Sequence, residues 1–170
     1  EGTGVELTVA GQTLRGDFAF EKATRAGLDG QIGTADDKVT TKIVMANVEL
    51  RLGDGTTDFV TLTNGSGALL ITASGLAGEF GGTVTLNVPQ VTFTGTFRVA
   101  INSTNAAVNE SFMVGGETVT LALPAGPFLR VSGTNIQMGI LGQTLSGDFS
   151  FEQMTSSKAG APTRKVIRIA

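Results

Sequence analysis

The chain is 170 residues long, with 24 glycines, 10 phenylalanines and no cysteine, histidine, tryptophan or tyrosine. Its net charge is −3, and its 12 basic side chains are scattered, which argues against a nucleic-acid partner because a phosphate backbone calls for a concentrated basic face. Without imidazole or thiolate there is no Ser-His-Asp triad, cysteine nucleophile, disulfide or ordinary zinc site, so the chain reads as non-catalytic, with a carboxylate-dependent hydrolase as the enzyme class still chemically open.

With 24 threonines and 15 valines, the chain is rich in β-branched residues that suit a pleated surface. Period-2 alternation predicts strands, in chain order, at 5–9, 14–21, 42–52, 59–63, 68–73, 80–88, 91–101, 108–114, 118–123, 127–131, 135–141, 145–152 and 164–170. The segment 91–101 shows it best, with Val91, Phe93, Phe97, Val99 and Ile101 on one face and Thr92, Thr94, Thr96, Arg98 and Ala100 on the other. Turn signals separate the strands: AGQT after residue 9, GDGTTD at 53–58, NGSG at 64–67, the glycine pair 115–116 and PAG at 124–126. No stretch has convincing helical period, and no apolar run reaches the ~18 residues that a membrane-spanning helix requires. The fold class is all-β. Two architectures fit it: an elongated, stacked β-sheet or β-solenoid-like repeat unit, or a β-sandwich domain in a tandem array.

The two ends of the chain repeat each other. Residues 1–21, EGTGVELTVAGQTLRGDFAFE, align without gaps to residues 132–152, SGTNIQMGILGQTLSGDFSFE, with eleven of the 21 positions identical. KIVMA at 42–46 can be laid on VIRIA at 166–170 with the offset reduced from 131 to 124, which leaves seven extra residues in the first copy. The division that follows is one complete repeat over 1–131 and the opening strands of the next over 132–170. Glu1 opens directly into patterned sequence, as expected of a window cut from a longer array.

A smaller kernel, apolar-x-Gly-polar-Phe, recurs at Leu14–Phe18, Leu76–Phe80, Phe93–Phe97 and Leu145–Phe149. On a strand its two apolar ends share a face with the glycine between them, so the strand can bend there or receive a phenylalanine from its neighbour. Asp17 and Asp148 occupy equivalent kernel positions and read as outward-facing. Phenylalanine at strand spacing reads as core.

Two loops carry the candidate metal ligands. In GLDGQIGTADD, Asp29, Asp36 and Asp37 give three carboxylates separated by flexible glycines, the oxygen-rich setting Ca²⁺ prefers, although the spacing is not that of an EF-hand. Asp54 and Asp58 in GDGTTD form a weaker pair, for which a hairpin connection capped by aspartates is the competing reading. Asn64, Asn102 and Asn109 each begin an N-glycosylation sequon.

The blocks GQTLSGDFSFE, PAGPFLRVSGT and VTFTGTFRVAINSTNAAVNESFMVGG resemble tandem-repeat segments of very large secreted or surface proteins of environmental bacteria. That resemblance implies an extracellular or cell-surface, array-forming scaffold such as an adhesin stalk, sheath or filament. The expected function is a structural or adhesive repeat module whose partners are copies of itself or adjacent repeats, met through edge strands. The alternative is a calcium-stabilised ligand- or lipid-contacting binding module.

Overall fold

The computed structural model describes residues 1–156 and 164–170. Its strands are β1 (Gly2–Val9), β2 (Gln12–Arg25), β3 (Lys38–Gly53), β4 (Asp58–Thr72), β5 (Gly75–Val88), β6 (Val91–Asn102), β7 (Val108–Val114), β8 (Glu117–Leu123), β9 (Phe128–Ile140), β10 (Gln143–Ser156) and β11 (Arg164–Ile169). Nine of them form one antiparallel sheet in the order β1-β2-β3-β4-β5-β6-β9-β10-β11, and β7 and β8 make a separate hairpin. The chain leaves the sheet after β6, builds the hairpin over β2 to β5, and returns as β9 beside β6. The all-β expectation holds, in its elongated form. Neighbouring strands are antiparallel and mostly consecutive, so the sheet is an open meander and not a wound coil, and the hairpin is its second layer.

Local sequence explains the tight connections. The β1–β2 turn places Ala10 and Gly11 at φ 50° and 80°, and the β9–β10 turn places Leu141 and Gly142 at 49° and 81°. Two successive positive φ values are the signature of the two-residue turn whose twist matches antiparallel strands. The glycine pair 115–116 does the same between β7 and β8, at 58° and 81°.

Two predicted breaks are not breaks. NGSG lies inside continuous β4, where Asn64 sits at φ 53° and the pairing with β5 slips so that the four residues Thr63 to Ser66 oppose the three residues Thr83 to Gly81. Likewise 127–131 and 135–141 are one strand, β9, bulged at Asn135 with φ 53°. Asparagine tolerates the left-handed conformation, so the same local preference that favours a turn here inserts a bulge and lets the ladder continue on either side.

The sheet's two faces are used in the opposite sense from the sequence reading. The buried core lies on the small-residue face: Val44, Ala46, Ala68, Leu70, Ala77 and Ala100 meet Val114, Leu121 and Leu123 of the hairpin and Phe128 of β9. Alanine there lets a second layer approach the sheet closely. The hairpin alternates cleanly, with Val114 and Leu121 fully enclosed and Met113 64% exposed. The other face carries Phe18, Phe20, Phe80, Phe93, Phe97, Phe149 and Phe151, aligned by strand register, and Phe20 is 66% exposed. The expectation that strand-spaced phenylalanine is core holds for Phe128, with Phe112 packed against it, and is corrected for these seven. Alternation marks two faces, but the hairpin chooses which one is covered.

The sequence repeat is also a repeat of structure. Gly2↔Phe18, Val5↔Gly16, Leu7↔Leu14 and Val9↔Gln12 in β1·β2 recur as Gly133↔Phe149, Ile136↔Gly147, Met138↔Leu145 and Ile140↔Gln143 in β9·β10. The third strand shifts the alignment, because Phe20 faces Ile43 while its counterpart Phe151 faces Ile169. The structural offset is thus 126, and KIVMA superposes two residues away from the position that residue identity alone suggests. A shift of two keeps every side chain on its face, so the hydrophobic pattern cannot distinguish the two registers.

Candidate functional site

Three of the four kernel glycines make room on the Phe face, while the space at Gly147 is open. A Cβ at Gly95 would overlap Ile136 Cδ1 of β9, one at Gly78 would lie 2.8 Å from Leu69 Cδ1, and one at Gly16 would press on Val48 at 3.1 Å. The phenylalanines are received by glycines outside the kernel: Gly67 lies beneath Phe80, and Gly133 beneath Phe149. Phe93, Phe97, Phe149 and Phe151 then form a continuous ladder across β6 and β10, with successive centroids 5.7, 6.0 and 5.4 Å apart. These spacings are those of stacked or tilted aromatic pairs.

The aspartates of the kernel are bulge caps. Asp17 is only 8% exposed; its Oδ1 accepts the Gly4 N–H at 2.6 Å and its Oδ2 accepts the Asn47 side-chain amide at 2.8 Å. Gly4 and Asn47 are the left-handed bulge residues of β1 and β3, so one carboxylate ties the irregularities of both flanking strands. Asp148 repeats half of the arrangement, accepting the Asn135 N–H at 2.7 Å. The Asn47 amide first and the Gly4 N–H second hold the Asp17 carboxyl below its usual range. The outward-facing assignment made from sequence is right for Asp148, which is exposed, and wrong for Asp17. A signal for this role was present: Gly4 and Asn135, both tolerant of left-handed backbone, stand at the same place in the two copies.

In the acidic loop the carboxylates serve the loop's own backbone. Asp36 Oδ2 accepts the N–H groups of Leu28 and Asp29, Asp29 Oδ1 accepts that of Gln31 at 2.9 Å, and Asp37 Oδ2 accepts that of Gly33 at 2.6 Å. The Thr34 hydroxyl donates to Asp36 Oδ1 at 2.8 Å and leads the causes that lower the Asp36 pKa, ahead of these backbone bonds. In the second loop, Asp54 Oδ1 accepts Thr56 and Thr57 N–H at 2.9 and 2.8 Å, which lowers its pKa, and Asp58 pairs with Arg51 at 3.5 Å. Among the described residues no three acidic side chains converge in a metal-ligating group.

The crossover into the hairpin turns on Asn102, which is fully buried. Its Nδ2 donates to the carbonyls of Ala106 and Pro124, both at 2.8 Å, and its Oδ1 accepts Thr104 N–H at 2.9 Å and Thr104 Oγ1–H at 2.8 Å. Such an amide is structural, and its sequon offers no acceptor at the surface. Lys42 secures the hairpin from the sheet side, 3.8 Å from Glu21 and 3.7 Å from Glu110 of β7, with its ammonium 5.6 Å from the Phe112 ring centre.

Between the hairpin and the bulged strands runs an open groove of about 420 Å³, lined by Asn47, Asn64, Thr83, Thr96, Glu117 and the Glu79–Arg98 ion pair. Arg98 and Glu79 neutralise each other, which leaves Glu117 as the groove's net charge. On the opposite face a shallower apolar recess of about 250 Å³ is bounded by Met45, Val48, Leu62, Phe80, Val84, Phe97 and Val99. The outer strands β1 and β11 complete the inventory of surfaces able to bind, each with one unpartnered ladder edge among the described residues. No protein-family model, curated protein or solved structure matches the chain.

Proposed function

We propose that the chain is a non-catalytic structural or adhesive repeat module of an extracellular bacterial scaffold, stalk or filament. The observation that carries this reading is the register identity of β1·β2 and β9·β10 inside one continuous sheet. The second copy follows the first along the hydrogen-bonding direction, six strands on, so each further repeat adds six strands to the same sheet. At about 4.8 Å per strand, every 131-residue repeat lengthens the particle by about 29 Å. Small-angle scattering from proteins carrying one, two and three repeats tests this directly: equal increments near that value support it, and a compact particle whose longest dimension stays constant refutes it.

One observation favours the alternative of a calcium-stabilised, ligand- or lipid-contacting module: the uncovered Phe face, with Phe20 66% and Phe151 44% exposed. Co-flotation of the chain with phosphatidylcholine vesicles, and a melting temperature higher in calcium than in chelator, are the outcomes this second reading requires.

A further inference from the structure

The two copies of the first hairpin differ in their neighbours. β9 is flanked by β6, whereas β1 is an outer strand. Val5 and Leu7 are 43% and 57% exposed, while their counterparts Ile136 and Met138 are half-buried beside β6.

For the pairs from Val91 to Arg98, most of what β6 uses on β9 is present on β1; the exception is Thr8 in place of Gly139, where the Thr92 hydroxyl must turn aside. β6 lies on β9 with Phe93↔Met138, Thr94↔Gln137, Thr96↔Thr134 and Phe97↔Gly133, and the extra residue between the second and third of these pairs is absorbed at the Asn135 bulge. β1 has the same bulge at Gly4, φ 59°, in the same register against its inner partner. The recess at Gly95 that takes Ile136 also admits the smaller Val5. Phe97 stands opposite Gly133 with its ring 6.0 Å from Phe149, and Gly2 and Phe18 occupy those two positions in the first copy. Arg98, which faces Ser132 on β9, would face Glu1 on β1, so the junction gains an opposite-charge cross-strand pair.

We propose that the outer edge of β1 is the docking site for a strand of β6 sequence, Val91–Asn102, supplied by a neighbouring repeat. The strand runs antiparallel to β1, with Phe93 opposite Leu7, Thr96 opposite Thr3 and Phe97 opposite Gly2. The inference rests on the array reading above and adds to it the partner and the register. Ladder hydrogen bonds supply affinity at such an edge, and the seating of Phe97 over Gly2 and of Val5 in the Gly95 recess supplies selectivity.

The chain has no cysteine, so single thiols report the pairing without background. The full chain carrying Thr8→Cys is mixed, in a glutathione buffer, with 12-residue peptides of the β6 sequence in which Thr92 or Thr96 is replaced by cysteine. Residue 92 lies directly opposite residue 8 in the proposed register, at about 4.5–5.5 Å between Cα atoms and within disulfide reach, whereas residue 96 is about 13 Å further along. The expected result is a mixed disulfide with the Thr92→Cys peptide at least about ten-fold in excess. A second chain variant, Glu6→Cys, should in turn select a Thr94→Cys peptide, and circular dichroism of both variants checks that the sheet is intact. Equal yields from all peptides, preference for Thr96→Cys, or disulfide dimers of the chain in place of the mixed species overturns the proposal. If the register fails while the scattering increments hold, the array reading survives with a different junction. If the register holds while the increments fail, the edge site stands and the array reading falls.

Discussion

Asn102→Ala tests the claim that one buried amide holds the hairpin crossover in place. The substitution removes four hydrogen bonds and leaves the Ala106 and Pro124 carbonyls and the Thr104 N–H and hydroxyl without that partner. At about 1 kcal/mol net for each bond, the loss is about 4 kcal/mol, reduced toward 2 where water reaches the exposed ends of the two loops. Against a typical domain stability of about 5–15 kcal/mol this is a large fraction. Urea denaturation followed by circular dichroism should show a lower midpoint with unchanged slope, and limited proteolysis should find new cleavage in 103–107 and 124–127. Asn102→Asp sharpens the test. It keeps the acceptor for Thr104 but sets a carboxylate against two carbonyls, which raises the folded pKa of the introduced group. Its stability relative to the parent chain is then greatest at low pH, where the protonated acid donates, and falls as pH rises through that raised value. A loss below about 1 kcal/mol in Asn102→Ala, with the proteolytic pattern unchanged, would refute the reasoning.

Other consequences are as direct. Ala68 is 1% exposed beneath the hairpin, so Ala68→Leu should cost about 1–3 kcal/mol by overpacking and release β7–β8 first, seen as early hydrogen exchange of 108–123. Ala10 and Leu141 hold positive φ in turns that favour asparagine before glycine, so Ala10→Asn and Leu141→Asn should each stabilise by about 0.5–1 kcal/mol in thermal melts, additively because they lie in separate hairpins. Asp17, Asp36 and Asp54 all have pKa values lowered from 3.8, so the stability they contribute is present above that value and is lost as pH falls through their folded values. Urea midpoints measured downward from pH 5 should decline accordingly, and Asp17→Asn should make the decline shallower; an identical slope in the variant would count against the bulge-cap assignment.

Much of the local structure was legible from residues alone. Strand positions followed alternation, and two hairpin turns followed Ala-Gly and Gly-Gly pairs that can take two positive φ values, whereas Leu141, read as the end of a strand, opens the third such turn. The kernel glycines were recognisable as packing devices, although their guests proved to be Ile136, Leu69 and Val48, with phenylalanines seated on Gly67 and Gly133. Asp17 was legible only as a repeated position. Its work depends on Gly4 of β1 and Asn47 of β3 arriving on either side of it, 13 and 30 residues away in sequence. In the acidic loop, Asp29, Asp36 and Asp37 read from sequence as candidate oxygen ligands, and the structure adds that their carboxylates cap the loop's own turns.

The sequence by itself determined that this chain is all-β, where its strands run and that its first hairpin is made twice, because alternation, turn chemistry and internal identity are properties of neighbouring residues. Only the tertiary structure decided which face is buried, that Asn64 and Asn135 bulge the strands without ending them, and that the second copy continues the sheet of the first. Both faces of β3 and β4 carry apolar residues at the required period. The choice between them is made by a hairpin that leaves the sheet after Asn102 and folds back on the alanines, whose small side chains allow the two layers to meet.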